Sequence, residues 1–192
     1  MHERLAAAGA CFGEVAGWER PNWFARAGQS PEYEYTFGKP NWFQSWREEH
    51  LAARDGCALF DQSSFSKYLI QGRDAVAALQ RICSAHIDVP PGKIVYTHWL
   101  NERGGIEADL TVTRMAEHAF WVVSGAAVTN RDLDWLRRHI DPDLHCTVTD
   151  ITSAWSVIGL MGPSSRDLIA RAASADLGTE SFPFGTVQSI EL

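Results

Sequence analysis

The chain has 192 residues, of which 45% are hydrophobic, and it carries a formal net charge of −7. This apolar content is enough to bury a core of ordinary size. A nucleic-acid binder needs a basic stripe that displaces counterions, and the absence of any Lys/Arg run argues against that class. No apolar stretch reaches the length of a membrane span, and residues 1–10 lack the pattern of a signal peptide. The sequence therefore predicts a cytoplasmic protein, or a mitochondrial-matrix protein in a eukaryote, with no membrane partner.

The spacing of the cysteines and histidines indicates neither disulfides nor a metal site. The histidines form no H-x-H or H-x-x-x-H pattern, so no metal is predicted. The four cysteines stand singly, without a C-x-x-C pair, and we expect them to be small apolar core residues; they are Cys11, Cys57, Cys83 and Cys146.

Residues 1–40 are rich in Pro, Gly and aromatic side chains. They contain the first copy of a four-residue repeat, and the second copy begins at residue 40. Pro21-Asn22-Trp23-Phe24 returns as Pro40-Asn41-Trp42-Phe43, each copy typical of a turn followed by two aromatic anchors. These rings could form a stacking surface for a pterin or flavin. They could instead attach an irregular connector to the domain body, and the large area that aromatic residues bury in any setting favours this second interpretation.

The remaining sequence predicts helices alternating with strands in hairpin pairs. Asn41 is a suitable N-cap and Gly56 a suitable stop for a helix from Trp42 to Asp55. Spacing and turn residues predict the other elements: strands at 57–61 and 65–71, a helix at 73–84, a strand at 119–124, a helix at 130–140, strands at 145–150 and 154–161, and a helix after Gly162-Pro163. This order indicates an α+β fold with an antiparallel sheet.

The central hairpin is the most informative part of the sequence. Residues 96–100 and 106–114 have strand patterns, and Asn101 to Gly105 joins them with paired glycines that reach positive backbone angles. Alternation puts Ile106, Ala108, Leu110 and Val112 on one face and Glu107, Asp109, Thr111 and Thr113 on the other. Asp109 therefore stands among small polar neighbours, which suits a working carboxylate.

The segment from Tyr96 to Arg114 resembles the glycine-cleavage T-protein family, the tetrahydrofolate-dependent aminomethyltransferases. Three further passages, at residues 17–24, 58–67 and 162–166, are similar to the C-terminal region of the dimethylglycine and sarcosine dehydrogenases. The resemblance runs from about Gly9 onward. It implies an α+β fold with antiparallel or mixed sheets and packed helices, corresponding to the first part of an aminomethyltransferase-type folate-binding fold.

The resemblance also implies a site. Asp109 matches the family's catalytic, folate-binding carboxylate, and Tyr96 matches a Tyr that lines the folate pocket. Thr113 and Ser124 occupy two further pocket positions, where aminomethyltransferases tend to carry a Tyr and an Asn; this departure fits the dehydrogenase branch. His98 lies close by in sequence, but a lone His is more often structural.

Domain organisation and function follow from the same resemblance. Residues 1–40 are interpreted as a connector from an absent upstream flavin domain, which would hold FAD, because the sequence has no G-x-G-x-x-G motif. Residues 41–192 are interpreted as the N-terminal portion of a folate-binding domain whose second half is also absent, and the alternating pattern at 189–192 as the start of a strand.

The implied function is capture of the one-carbon unit from an N-methyl amine as 5,10-methylenetetrahydrofolate, in an FAD-dependent dehydrogenase or oxidase. The partners are the amine and folate, and the piece alone is expected to be inactive. Two alternatives stay open: a stand-alone folate-dependent aminomethyltransferase or demethylase, and a non-catalytic folate-binding family member.

Overall fold

The computed structural model describes residues 1–191, which divide into two compact units. Unit 1 comprises Met1–Phe60 and Gly159–Ile169, and unit 2 comprises Asp61–Ile158 and the residues from Ala170 on. In chain order the helices and strands are α1 (His2–Ala7), β1 (Ala10–Val15), β2 (Trp18–Phe24), α2 (Phe43–Asp55), β3 (Ala58–Asp61), β4 (Ser66–Gln71), α3 (Ala75–Ile82), β5 (Ile94–Leu100), β6 (Ile106–Ala116), β7 (Ala119–Ser124), α4 (Thr129–His139), β8 (Thr147–Asp150), β9 (Ile158–Met161) and α5 (Ser165–Ile169).

Unit 1 is built from two small strand pairs and α2. Strands β1 and β2 form an antiparallel hairpin whose two-residue loop, Ala16-Gly17, has positive φ angles of 54° and 83°. Two consecutive residues with positive φ match the right-handed twist of the flanking strands, which explains the tight connection. Strand β3 pairs with β9. Residues 1–40 are therefore not irregular throughout, because they contain α1 and this hairpin.

The helix predicted over 42–55 is confirmed, but the predicted cap is wrong. The helix begins at Phe43 after Trp42 and ends at Asp55, with Gly56 as its C-cap. The Asn41 side chain does not cap it; its amide donates to the Glu32 carbonyl at 2.8 Å, and its oxygen accepts from the Glu34 N–H at 3.2 Å. Asn41 instead holds the preceding loop, a competing local bond that Asn forms readily.

Unit 2 is a five-stranded antiparallel sheet in the order β5-β6-β7-β4-β8, with α3 and α4 packed on one face. Strand alternation sends every second side chain into the core between the sheet and the helices. The largest fully buried members of this core include Trp99, Tyr68, Phe120, Leu79 and Leu136. The opposite face of the sheet carries the predicted site.

Most predicted elements of unit 2 are confirmed within a few residues, and the α+β prediction with antiparallel sheets is confirmed. The strand predicted over 154–161 is only half right, since residues 152–154 form a 3-10 turn and the strand spans Ile158–Met161. Residues 189–191 form no strand, and Leu192 lies outside the described residues. No helix within residues 1–191 combines the length and apolar character needed to cross a membrane.

Candidate functional site

The β5–β6 hairpin is held in register by its turn. The Asn101 side-chain oxygen accepts the backbone N–H groups of Arg103 and Gly105 at 3.0 and 2.9 Å, and its amide donates to the Glu107 carboxylate at 2.8 Å. Gly104 takes a positive φ of 78° that a branched residue could not adopt without strain. The local sequence thus fixes which residues of β5 and β6 face each other.

Replacing Asn101 by Ala should lower the free energy of unfolding by about 1–2 kcal/mol, because three turn hydrogen bonds are lost at a partly exposed site. Urea denaturation followed by circular dichroism measures this change. Glu102→Ala, at an exposed position in the same turn, is the matched control and should change stability by less than about 0.5 kcal/mol. Equal effects of the two substitutions would contradict this role of Asn101.

The sheet has a covered face and an open face, which we define as the face opposite the helices. Cross-strand partners point to the same face, so the pairs Tyr96–Thr111 and His98–Asp109 both lie on the open face. The side chain of Asp109 is exposed, and that of Tyr96 is 58% exposed. The predicted separation of the Asp109 side from an apolar face is confirmed for Ala108, Leu110 and Val112, which are buried, but not for Ile106, which is 64% exposed.

Three of these open-face side chains form a hydrogen-bonded cluster. The Tyr96 hydroxyl donates to Asp109 Oδ2 at 2.6 Å and lies 3.3 Å from His98 Nε2, and the Tyr96 and His98 rings meet edge to face at 5.2 Å between centroids. The hydrogen bond to the Asp109 carboxylate raises the pKa of Tyr96 above its ordinary value, because ionising the phenol would oppose two negative charges. At neutral pH Tyr96 is therefore a protonated donor that orients the carboxylate.

A buried lysine lies on the same face, two strands further into the sheet. Lys67 pairs with Val123, which pairs with Thr111, so one cross-strand row connects it to Tyr96. The residue is 1% exposed, and its ammonium donates to the carbonyls of Ser63 and Phe65, each at 2.8 Å. Loss of hydration lowers the pKa of Lys67, and the charges of two nearby carboxylates, Asp150 and Asp61, oppose this effect. Lys67 thereby secures the bend before β4.

The other two residues predicted to contact folate, Thr113 and Ser124, lie on opposite faces of the sheet. Thr113 is on the open face, 7% exposed, between its cross-strand partners Ile94 and Trp121. Ser124 is on the covered face, where its hydroxyl donates to the buried carboxylate of Asp132. The structure therefore brings Tyr96, Asp109 and Thr113 to one face and leaves Ser124 on the other, and the folate roles of all four stay predictions.

Sequence reasoning assigned His98 to a structural role and did not single out Lys67 or Trp121. The signal for His98 was available, because residues two apart on a strand share a face and His98 follows Tyr96 by two. Trp121 lies on the open face, and its ring centroid is 4.8 Å from that of Trp155. The sequence does not predict the face of Trp121, because it lies in a run of apolar residues that shows no alternation between the two faces.

Two cavities lie away from this cluster. One, of about 160 Å³, is in unit 1, where both copies of the aromatic repeat contribute; its lining residues are Asn22, Trp23, Tyr33, Trp42 and Trp46. The other, of about 320 Å³, lies between the ends of α3 and α4 in unit 2 and is lined by Arg81, Ile82, Leu100, Trp135, Arg138, His139, Ile140, Asp141 and Pro142. Neither is lined by Tyr96 or Asp109. Among residues 1–191, no cluster of His, Cys, Asp or Glu has the composition of a metal site.

The fold matches the glycine-cleavage aminomethyltransferase T of Bartonella henselae with a TM-score of 0.73 and 28% identity, covering 89% of this chain and 42% of that one. Residues 1–192 match the family described as the GCVT N-terminal domain, and the chain belongs to this family.

The curated relatives include oxidising enzymes of N-methyl amines. The chain is 43% identical over its whole length to 4-methylaminobutanoate oxidase (formaldehyde-forming) of Paenarthrobacter nicotinovorans, covering 23% of that protein. It is 34% identical to the mitochondrial sarcosine dehydrogenase of Homo sapiens, with 97% of this chain and 24% of that protein covered. The chain thus spans about a quarter of the length of these relatives.

Proposed function

We propose that the open face of unit 2 binds tetrahydrofolate and that the chain is the folate-binding part of an FAD-dependent N-methyl amine dehydrogenase or oxidase. The observation that carries the proposal is the exposed Asp109 carboxylate, oriented by the Tyr96 hydroxyl at 2.6 Å. Membership of the GCVT N-terminal domain family supports it.

The residues present suit a reduced folate. A pterin is planar and carries N–H groups, so the exposed ring of Tyr96 offers a packing surface and Asp109 an acceptor. When bound, tetrahydrofolate supplies a nitrogen nucleophile toward a one-carbon electrophile. An anion beside that nitrogen is stabilising because positive charge develops there as the new bond forms.

The roles of the protein side chains follow from this arrangement. Asp109 accepts the proton released at the nitrogen, and Tyr96 keeps the carboxylate aimed at it by donating to Oδ2. Glu107 is excluded from this role, because its carboxylate accepts from the Asn101 amide in the turn. Ala108, the other neighbour of Asp109, has no acidic group and points into the core.

The oxidation step of the proposed reaction would take place outside residues 1–192. A flavin domain elsewhere in a longer polypeptide would oxidise the N-methyl amine, and the folate site would then capture the one-carbon unit as 5,10-methylenetetrahydrofolate. The name of the relative from Paenarthrobacter nicotinovorans states that it forms formaldehyde. Release of formaldehyde is the outcome expected of our protein when no folate occupies the site.

Binding of tetrahydrofolate to the protein at its natural length tests this proposal by calorimetry. Asp109→Asn should weaken binding about 10-fold or more, because a charge-assisted hydrogen bond contributes about 1.5–3 kcal/mol. The matched control, Glu107→Gln, keeps the amide contact with Asn101 and should bind as the parent does.

Three other outcomes are informative. Absence of binding by the parent would refute the proposed function. Equal affinity of Asp109→Asn and the parent would remove Asp109 from the site. Binding without any one-carbon product would favour the non-catalytic alternative.

A further inference from the structure

We infer that the proton accepted by Asp109 is transferred to His98 and that the Tyr96 hydroxyl relays it. The inference rests on the proposed function for the source of the proton, but the path itself is a geometric feature of the β5–β6 hairpin. The Tyr96 hydroxyl oxygen lies 2.6 Å from Asp109 Oδ2, a short hydrogen bond, and 3.3 Å from His98 Nε2, a long one.

Turnover requires such an outlet. A carboxylate that has taken a proton from the nitrogen cannot act again until that proton leaves, and a ligand lying over Asp109 would shield it from water. The Tyr96 hydroxyl can accept from protonated Asp109 on one side while it donates to neutral His98 on the other. A phenol can therefore transfer the proton without itself becoming charged.

The transfer balances without any further reactant. The O–H bond of protonated Asp109 breaks as the Tyr96 oxygen gains that proton, and the original Tyr96 O–H bond breaks as His98 Nε2 gains its proton. His98 becomes an imidazolium, which then releases the Nδ1 proton to solvent. Proton exchange with water returns the neutral ring to the Nδ1–H tautomer, which leaves Nε2 able to accept the next proton. Imidazole suits this step because one ring nitrogen can accept a proton while the other carries a proton to release.

His98 is held in place by its backbone and faces few other polar groups. Its N–H donates to the Ser84 hydroxyl at 3.3 Å, and its carbonyl accepts the Ser84 N–H at 2.9 Å. Tyr96 on β5 and Asp109 on β6 are the titratable groups facing its ring, and Ser84, after α3, is uncharged. The half-buried ring thus has Tyr96 as a partner at Nε2, and part of the residue is accessible to solvent.

The decisive variant is His98→Gln, which keeps an amide that can accept from Tyr96 but cannot take up a proton. With 4-methylaminobutanoate and sarcosine as amine probes, formation of 5,10-methylenetetrahydrofolate by the protein at its natural length should show a kcat about 10- to 100-fold lower, as expected for loss of a proton-transfer group. KM for tetrahydrofolate should stay within about 2-fold, since His98 acts through Tyr96. Added imidazole should restore a large part of the rate.

His118→Gln is the matched control, because His118 is an exposed histidine at the β6–β7 turn, away from the cluster. The His118→Gln substitution should leave kcat unchanged, and added imidazole should not change its rate. A loss of rate in His98→Gln that imidazole does not restore would mean that His98 only supports the fold, and this would overturn the inference. So would a His98→Gln rate equal to that of the control.

A second measurement separates this inference from the proposed function. NMR of the ring nitrogens of His98, recorded without folate, should show that Asp109→Asn and Tyr96→Phe both change its chemical shifts, whereas Glu107→Gln does not. If the parent forms no folate product, this coupling still decides whether the path exists. Unchanged His98 shifts in both variants would overturn it.

Discussion

Asp109→Asn should reduce formation of 5,10-methylenetetrahydrofolate about 100- to 10,000-fold while amine oxidation continues at nearly the parent rate. The size follows from the usual contribution of a positioned general base. In the proposed mechanism only the capture step uses the carboxylate, so the one-carbon unit should leave as free formaldehyde. The measurement is product partitioning: formaldehyde and methylenetetrahydrofolate are quantified together against amine consumed.

Glu107→Gln is again the matched control, since it removes a carboxylate two residues away whose contact is with the Asn101 turn. It should leave the partition ratio unchanged. Equal folate product from Asp109→Asn and the parent would show that another group serves the nitrogen. A parallel loss of amine oxidation would show that the substitution damages the fold rather than the capture step.

Gly72→Ala should destabilise unit 2 by about 3–5 kcal/mol, the sum of a steric clash and backbone strain. Gly72 joins β4 to α3 with a φ of 142°, a region that residues with a Cβ rarely adopt. A Cβ at this position would lie 2.0 Å from the carbonyl oxygen of His145, which is backbone and cannot rotate away. Denaturant unfolding measures the change, and the melting temperature should fall by roughly 10 °C.

Gly104→Ala separates the two causes. Gly104 also has a positive φ, 78°, but a Cβ there would meet nothing within 4 Å. This control should therefore lose only about 1–2 kcal/mol, the cost of the left-handed conformation. If both substitutions cost the same, the close approach of Gly72 to the segment before β8 has no energetic weight.

Local chemistry explains which parts of the fold the sequence predicts. The turn at Asn101–Gly105 and the alternation along β6 depend on neighbouring residues only, so the hairpin and the exposure of Asp109 follow without any knowledge of distant contacts. Helix α2 is predicted for the same reason, since the Gly56 stop is a local signal. The prediction that Asn41 caps this helix is wrong because the Asn41 side chain bonds the loop at residues 32–34 instead.

Long-range pairing explains what the sequence leaves open. No local pattern indicates that β4 lies between β7 and β8, or that β3 pairs with β9 some 100 residues later. The run from Phe120 to Val123 is apolar on both faces, so only the register with β6 decides that Trp121 lies on the open face and Ser124 on the covered one.

The candidate site likewise has features that the sequence predicts and features that only the tertiary structure decides. The sequence by itself determined the hairpin, the face of β6 that carries Asp109, and the family resemblance that the comparisons confirm. The tertiary structure alone decided that the Tyr96 hydroxyl bonds Asp109 and meets His98, and that Lys67 is buried in the same cross-strand row. The physical reason is that alternation fixes only the face to which a side chain points. Tyr96 bonds its diagonal neighbour Asp109 rather than its cross-strand partner Thr111, and the place of Lys67 depends on the register of strands distant in sequence.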